Sequence, residues 1–347
     1  MSEITNRPSR LRGLSSLKRK ALELHDLQLV TSEPLFQDVI LMSPASRGVD
    51  LAEWASANIE LIEASLRKAG AILFRGFGLK RIDEFEKVAQ VICPSLFGDY
   101  GDLPPEEQAR KIYQSTPYPE QLPILFHNEA SHTHRWPLKQ FFFCVIPATE
   151  GGETPIADCR KVYELLSPET VLKFKEKNLL YVRNFTDAFD VSWQCFFKTS
   201  DPAAVERLCR ENSIDLEWKS DGSLRIEQRS PAIVKHPRTW DVVFFNQIQL
   251  HHIHFLPADT RALILSLVGE DSLPRNVYYG DGSPIEPEVL EEISEAYNKA
   301  SIRFRWEKGD LLLLDNMLIA HSRSPYKGAR KIVVAMGEMI YLKDLTG

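Results

Sequence analysis

The stretch LFHNEASHTHR, residues 125–135, holds three histidines and one glutamate. Imidazole and carboxylate groups bind metals and also act as general acids and bases. If the chain enters or leaves a strand here, residues two apart point to the same face, so His127 and Glu129 project together and Asn128 faces away. An imidazole beside a carboxylate supplies two of the three ligands of the 2-His-1-carboxylate iron site. The stretch is therefore a candidate metal site whose third ligand would come from elsewhere, although such tripeptides also occur frequently by chance.

Spacing alone leaves the ligand set open. His132 and His134 are also two residues apart, and so are His252 and His254. HNEASH does not match H-E-x-x-H, which disfavours the helical zinc site of metallopeptidases. Two other interpretations use the same residues: a zinc-dependent hydrolase, and a non-catalytic jelly-roll protein that binds a metal or another ligand.

Two later stretches add features of a carboxylate-binding site. In EGGETPIAD, Gly151 and Gly152 turn the chain into a strand that carries Thr154. In DLLLLDNMLIAHSRSPYKGARKIVVAM, an apolar strand is followed by His321, and Arg330 opens the next strand. A buried arginine is costly unless it meets an anion, and its planar fork fits a carboxylate. Arg330 is thus a candidate anion-binding residue, although an exposed residue at a strand start has the same pattern.

The elements that must position these residues are mostly short strands. Apolar or alternating patterns predict strands at AILFRGF, KQFFFCVIPA, TPIAD, TWDVVFFNQ, IRFRW, DLLLLDN and RKIVVAMGEM. DLEWKSDGSLRIEQ predicts a hairpin that turns at Asp221-Gly222. Strands and helices do not alternate regularly, which disfavours a doubly wound sheet. The pattern predicts a mostly β fold, a sandwich or barrel with flanking helices.

Helical spacing and capping residues predict the helices. DLAEWASANIELIEASLRKAG reads as one helix between Asp50 as N-cap and Gly70 as stop. Ser167 and Asp201, each followed by proline, cap SPETVLKFKEK and DPAAVERLCREN. RIDEFEKVAQVI and EPEVLEEISEAYNKA are also predicted to be helical. Residues 98–124, rich in glycine, proline, tyrosine and acids, are predicted to form a loop.

Composition narrows the class of protein. The 347 residues are 44% hydrophobic and 26% charged, with a formal net charge of −6, so no overall basic field favours nucleic acid. No apolar run reaches membrane-spanning length, and the N-terminus lacks the apolar core of a signal peptide. Five scattered cysteines without C-x-x-C indicate reduced thiols and a cytoplasmic protein. Residues 1–30, of which the first twenty are locally basic, are predicted to be a loose tail, and 31–347 a single domain.

From Ala71 to Met339, several stretches together resemble one family. These are ILFRGFGL, LFHNEASH, PATEGGETPIADCRKVYELL, VVFFNQI and GDLLLLDNMLIAHSRSPYKGARKIVVAMGE. In this order they resemble the iron(II)/2-oxoglutarate-dependent dioxygenases of the TauD/TfdA group, within it the clavaminate-synthase-like and SyrP-like amino-acid hydroxylases. The resemblance implies a double-stranded β-helix, a jelly-roll-like core.

The resemblance also implies roles for single residues. His127, Glu129 and His321 match the iron(II) ligands of the family. Arg330 matches the arginine that pairs with the far carboxylate of 2-oxoglutarate, and Thr154 matches the hydroxyl residue that contacts this co-substrate. Oxygen is the second co-substrate. The implied reaction hydroxylates an unactivated C–H bond and releases succinate and CO₂, and desaturation or ring closure would use the same oxidant.

Departures from the family pattern narrow the expected substrate. Related halogenases replace the carboxylate ligand with a small residue, so Glu129 disfavours halogenation. Val334 stands where taurine-type enzymes carry a sulfonate-binding arginine, which disfavours a taurine-like substrate. The separation between the two histidine ligands is long for the family, and helical insertions near 201–212 and 286–300 are predicted to account for it.

The resemblance implies an amino-acid substrate, free or attached to a carrier protein, in the biosynthesis of a natural product such as an antibiotic. The candidate substrate-binding residues are Asn128, Ser131, Asn246, Gln249 and Arg323. The remaining histidines of the His-rich stretches are expected not to bind iron, because the metal must keep open positions. These are His132, His134, His251, His252 and His254.

Overall fold

The computed structural model of the protein describes residues 29–36, 39–98, 111–114, 118–185 and 191–345. These residues form nineteen strands, most of them short. The strands are β1 (Val30–Phe36), β2 (Val39–Pro44), β3 (Ala71–Phe74), β4 (Tyr113–Gln114), β5 (Ile124–His127), β6 (Arg135–Ile146), β7 (Glu150–Gly151), β8 (Ile156–Asp158), β9 (Leu179–Phe185), β10 (Asp215–Trp218), β11 (Leu224–Ser230), β12 (Ile233–Lys235), β13 (Val242–Phe244), β14 (Arg275–Tyr279), β15 (Ser301–Ile302), β16 (Leu311–Asp315), β17 (Ile319–Arg323), β18 (Tyr326–Lys327) and β19 (Lys331–Tyr341).

Ten α-helices flank these strands in the described ranges. They are α1 (Leu51–Ala57), α2 (Ile59–Ala69), α3 (Ile82–Ile92), α4 (Cys159–Leu165), α5 (Pro168–Lys177), α6 (Trp193–Phe197), α7 (Pro202–Glu211), α8 (Ile248–His251), α9 (Ala258–Val268) and α10 (Pro287–Ala300). Short 3₁₀ turns follow at Ile253–Phe255 and Leu342–Leu345. No helix in these ranges is long and apolar enough to cross a bilayer.

Two sheets carry the residues of interest. The larger has seven strands in the order β1-β2-β3-β16-β6-β19-β4, and only the β2–β3 pair is parallel. The smaller has the order β15-β8-β17-β5 and is antiparallel throughout. A separate four-stranded sheet, β10-β11-β9-β14, includes the predicted hairpin.

Side chains of strand β16 alternate between two hydrophobic clusters, as a strand buried on both faces requires. Leu311 and Leu313 pack with residues of α1, α2 and α3, whereas Leu312 and Leu314 join the cluster that includes Ile156 and Ala320 of the smaller sheet. The larger sheet therefore has helices on one face and the smaller sheet on the other.

The predicted single helix over residues 50–70 is two helices. Asp50 caps α1 by accepting a hydrogen bond from the Glu53 N–H, as predicted. The chain then leaves helical geometry at Asn58, whose side-chain amide donates to the carbonyl of Trp54 and replaces a backbone bond. Gly70, in the left-handed region at φ 83°, ends α2 as predicted.

Two other predicted strands are shorter in the structure, and several helices were not predicted. Of IRFRW only Ile302 pairs with another strand, together with Ser301 before it, because the alternating burial of Phe304 and Trp306 reflects packing without a neighbouring ladder. TWDVVFFNQ is a strand only at Val242–Phe244. Helices α4, α6, α8 and α9 were not predicted. The capped helices and the hairpin were predicted correctly, with Ser167 and Asp201 as caps.

Part of the predicted N-terminal tail and loop lies outside the described residues, namely 1–28, 99–110 and 115–117. Of the remainder, β1 already begins at Val30, and residues 113–114 form a strand that pairs with β19. Helices α7 and α10 occur in the two regions predicted to be insertions, and their status as insertions stays a prediction.

Leu313→Ala tests the core that positions the site. Leu313 is fully buried in the central strand on the helix-covered face, whereas Leu267 of α9 is 59% exposed. We expect Leu313→Ala to lower the free energy of unfolding by about 2–5 kcal/mol through lost contacts and a residual cavity. Leu267→Ala should change it by less than about 0.5 kcal/mol. Urea unfolding followed by circular dichroism measures both, and equal losses would contradict the described core.

Candidate functional site

Two histidines meet across neighbouring strands of the smaller sheet. His127 ends β5 and lies directly opposite His321 of β17, with ring centroids 4.2 Å apart. Between the His127 pair and the next paired position β5 contains one extra residue, a β-bulge of the kind common beside functional sites. Glu129 follows in the turn after β5. One ligand atom from each of these three side chains lies within 4.8 Å of the others.

The protonation states of this cluster suit a metal ion. His127 Nδ1 lies 2.8 Å from the carbonyl of Leu125, which can only accept, so Nδ1 carries the proton and Nε2 keeps its lone pair. Burial lowers the pKa of His127. Burial and the nearby His127 lower the pKa of His321 well below its usual value. Both rings are therefore neutral at neutral pH.

The donor set itself fits iron(II). Two neutral imidazoles and one carboxylate form the 2-His-1-carboxylate set, which leaves positions open for other ligands. Among the described residues, buried His321 Nδ1 has no hydrogen-bond partner. In the same ranges, His127, Glu129 and His321 are the only group of three or more such residues close enough to hold one ion.

A cavity between the two sheets connects this cluster to a basic region. Gln140, Phe142, Ile332 and Val334 of the larger sheet line the cavity opposite the histidines. Arg330 and Thr154 also line it. The site thus has the cluster of His127, Glu129 and His321, apolar walls and a guanidinium along one cavity.

Arg330 and Thr154 retain hydrogen-bonding capacity for an anion. Arg330 Nε donates to the carbonyl of Gly152 at 2.9 Å, and its guanidinium lies over the Tyr326 ring at 5.5 Å. Trp306 Nε1 donates to Thr154 Oγ1 at 3.1 Å, so the threonine hydroxyl keeps its own proton to donate. Burial, and then Arg323, lower the pKa of Arg330 to about 10, so it remains a cation at neutral pH that an anion would stabilise.

The glycine pair of EGGETPIAD allows this packing. Gly152 has φ 71°, and a Cβ there would lie 2.8 Å from the Ala148 Cβ and 3.1 Å from the Arg330 Cδ. A side chain at this position would be strained and would push Arg330 from its place.

Arg323 lines the cavity but also supports its wall. Its guanidinium donates to the backbone carbonyls of Tyr118, Pro119 and Leu122 at 2.6–3.1 Å. Three such bonds from one side chain hold segment 118–122 against β17. Of the five candidate substrate residues, Arg323 is the one that lines this cavity.

The other four candidate substrate residues do not line the cavity but form hydrogen bonds beside it. The Asn128 side chain donates to the carbonyl of Asn316 at 2.7 Å and accepts from the Asn246 N–H at 3.3 Å. Ser131 Oγ donates to the carbonyl of Asn128. Gln249 accepts from the Phe126 N–H and donates to Ser294 Oγ, and the Asn246 side chain accepts from the Ile248 N–H. These contacts fix the backbone around β5.

Sequence reasoning missed two polar residues beside Glu129. Asn316 hydrogen-bonds both backbone groups of Glu129, although only its place at the end of an apolar strand was visible in the sequence. Gln140 Nε2 lies 3.4 Å from Glu129 Oε2, and its Oε1 has no partner among the described residues. The apolar run KQFFFCVIPA gave no signal that Gln140 faces the site.

The remaining histidines lie outside the ligand group. His132 and His251 pack against each other and against Tyr181, with ring centroids 5.0–5.8 Å apart. His134 contacts the carbonyl of Arg229, and His254 contacts Glu291. Burial, and then His254, lower the pKa of His252 to about 4.

A family profile and two proteins of known sequence match most of the chain. The family described as taurine catabolism dioxygenase TauD, TfdA family matches residues 31–336. Dapdiamide synthesis protein DdaC of Enterobacter agglomerans is 37% identical over 281 residues, 81% of this chain and 85% of that protein. A clavaminate synthase-like protein of Arabidopsis thaliana is 28% identical over 290 residues, 79% of this chain and 83% of that protein.

Solved structures share the fold at low sequence identity. PvcB of Pseudomonas aeruginosa has a TM-score of 0.54 and 13% identity, covering 89% of this chain and 91% of that one. PvcB is described as an Fe, alpha-ketoglutarate dependent oxygenase. A taurine dioxygenase of Burkholderia xenovorans has a TM-score of 0.55 and 14% identity, covering 91% and 98%.

Asn128→Ala tests whether the four candidate residues that do not line the cavity stabilise the fold. The substitution removes a fully buried side chain and leaves the Asn246 N–H and the Asn316 carbonyl without their bonds. We expect a loss of about 1–3 kcal/mol or more in the free energy of unfolding. Asn212→Ala, at an exposed helix end, is the matched control and should cost less than about 0.5 kcal/mol. Urea melts compare the two, and an unchanged Asn128→Ala midpoint would refute this role.

Proposed function

The chain belongs to the TauD, TfdA family of dioxygenases, and we propose that it hydroxylates an amino acid or amino-acid derivative at an unactivated C–H bond. It is an iron(II)/2-oxoglutarate-dependent dioxygenase, with O₂ as the second co-substrate. The observation that carries the proposal is the cavity that joins the His127, Glu129 and His321 cluster to Arg330.

In this proposal the side chains of His127, Glu129 and His321 would hold iron(II). Two imidazoles come from paired strands and one carboxylate comes from the adjoining turn, so the protein would supply three ligands and leave further positions open. Iron bound there would, with 2-oxoglutarate and O₂, supply the oxidant for the C–H bond, with succinate and CO₂ as co-products.

Arg330 and Thr154 anchor the far carboxylate of 2-oxoglutarate. A guanidinium fork that is already held by the Gly152 carbonyl and the Tyr326 ring loses little freedom when it binds a carboxylate. The Thr154 hydroxyl, accepting from Trp306, directs its proton toward the same anion. The two residues orient the co-substrate along the cavity toward the metal.

We propose that the two facing sheets form the double-stranded β-helix core of the family. Similarity to solved structures of the fold and the shared hydrophobic cluster between the sheets support this arrangement. The apolar side chains Phe142, Ile332 and Val334 would exclude water from the reacting centre.

An amino-acid substrate fits the relatives and the cavity. The 37% identical relative is a dapdiamide synthesis protein, and a further relative is clavaminate synthase-like, which supports a role in making a natural product. Val334 lines the cavity where a sulfonate-binding arginine would stand, so a taurine-like substrate lacks its cation there. The substrate is free or attached to a carrier protein.

The zinc hydrolase and the non-catalytic binding protein are set aside. The family is one of dioxygenases, which disfavours both alternatives. A zinc hydrolase also has no use for an anchored guanidinium along the cavity from the metal cluster.

Anaerobic addition of Fe(II) and 2-oxoglutarate to metal-free protein tests the metal site. We expect the weak visible charge-transfer band of a keto acid chelated to iron. His321→Ala should abolish the band, whereas His134→Ala, which contacts a backbone carbonyl outside the cluster, should retain it. No band in a folded, iron-loaded wild-type sample would refute the proposal.

Two arginine variants test the co-substrate assignment. Arg330→Ala removes the proposed partner of a buried carboxylate, a loss of about 2 kcal/mol or more, so the 2-oxoglutarate KM should rise about 30-fold or more. Arg323→Ala is the matched control, since that guanidinium also lines the cavity but binds carbonyls of segment 118–122. Succinate formation at varied 2-oxoglutarate measures both, and equal effects would contradict the assignment.

A further inference from the structure

One asparagine, Asn316, hydrogen-bonds both backbone groups of Glu129, the proposed carboxylate ligand. Asn316 Oδ1 accepts from the Glu129 N–H at 2.7 Å, and Asn316 Nδ2 donates to the Glu129 carbonyl at 3.0 Å. The same Nδ2 donates to the carbonyl of Pro137 at 2.8 Å. Asn316 is fully buried, so water does not compete for these bonds.

The position requires a side chain that both donates and accepts. Aspartate has the shape of asparagine but, when ionised, cannot donate to the carbonyls of Glu129 and Pro137. Alanine removes all three bonds. The amide is thus matched to the three backbone groups that it contacts.

Asn316 is itself held by the turn between β16 and β17. Its neighbour Asp315 accepts from the N–H groups of Met317 and Leu318 at 3.0 and 3.1 Å, which closes the turn. The second Asp315 oxygen lies 3.0 Å from His236 Nε2. These bonds give the turn one conformation.

The buried His236 has a fixed role in that turn. Its Nδ1 accepts from the N–H groups of Arg238 and Thr239, so the ring proton lies on Nε2 and is donated to Asp315. The His236 ring therefore stabilises the turn through its hydrogen bond to Asp315.

This turn leads directly into the strand that carries the distal histidine. β17 begins at Ile319, and His321 follows in it. The backbone of Asn316 also bonds to the Leu138 carbonyl and receives the Asn128 side chain. The contacts of Asn316 thus connect the segment carrying His127 and Glu129 with the segment carrying His321.

We propose that Asn316 is a positioning residue for metal binding, which sets the Glu129 carboxylate relative to the two histidines. The inference rests on the proposed function, because it gives Glu129 the role of a metal ligand. Without the hydrogen bonds from Asn316, the backbone of the turn after β5 is no longer fixed. The Glu129 carboxylate then samples positions too far from the two histidines to share a metal ion with them. Supporting residues of this kind change metal affinity by about 10- to 100-fold in other sites.

Titration of metal-free protein with Co(II) alone tests this role. We expect Asn316→Ala to weaken Co(II) binding by about 10- to 100-fold and to alter the visible d–d spectrum, which reports the coordination of the ion. Asn316→Asp, which keeps the acceptor for the Glu129 N–H but loses both donors, should weaken binding as well.

Asn276→Ala is the matched control. Asn276 is also buried, and its side chain accepts a backbone N–H, that of Ile253, away from the cluster. It should lower the thermal midpoint while Co(II) affinity and spectrum stay as in the wild type. Folded Asn316 variants with wild-type affinity and spectrum would overturn the inference, and wild-type protein that binds no Co(II) would instead overturn the proposed metal site.

Hydrogen exchange of the wild-type protein gives a test that no variant's folding can obscure. The Glu129 N–H should be protected in metal-depleted protein, because Asn316 Oδ1 binds it. Rapid exchange of the Glu129 N–H in a sample whose β6 amides remain protected would refute the hydrogen bond from this N–H to Asn316.

Discussion

The antiparallel pairing of β5 with β17 is the constraint on which the site depends. It brings His127 and His321 opposite each other, although almost two hundred residues of chain separate them. Two charged imidazoles this close would repel each other, and burial favours the neutral rings by lowering both pKa values. The hydrophobic cluster between the two sheets supports this pairing, because it packs β8 and β17 of the smaller sheet against the larger one.

The second constraint is charge balance in a cavity with apolar walls. Isolated charges are costly in such surroundings, so a charged group is stabilised by a group of opposite charge nearby. Glu129 is an anion at one part of the cavity, and Arg330 is a cation at another. A divalent metal held beside Glu129 and a dicarboxylate held beside Arg330 would each place opposite charges next to one another.

Periodicity and capping explain which parts were predictable from the sequence. The two-residue period placed His127 and Glu129 together, and fully apolar strands such as β16 were correctly identified because both faces are buried. The break at Asn58 escaped prediction because it depends on one local side-chain bond. Helix α9 was missed because its apolar residues are exposed and not confined to one face, so it lacks the one-sided pattern that marks a helix on a core.

The contacts that complete the site arise from pairs distant in sequence, and no local pattern encodes them. The order of motifs led to Arg330 and His321 through family resemblance, whereas residue types alone also allowed an exposed arginine and other histidine pairs. Asn316 illustrates the physical reason. An asparagine after an apolar strand predicts only a turn, and its second function appears once β16 is packed beside β6 and the turn after β5 comes within reach of its amide. Residue type and period therefore suggest candidate ligands, but the tertiary register decides which of them meet. Substitutions far along the chain from His127 and Glu129 should accordingly affect the metal centre as strongly as some of their immediate neighbours.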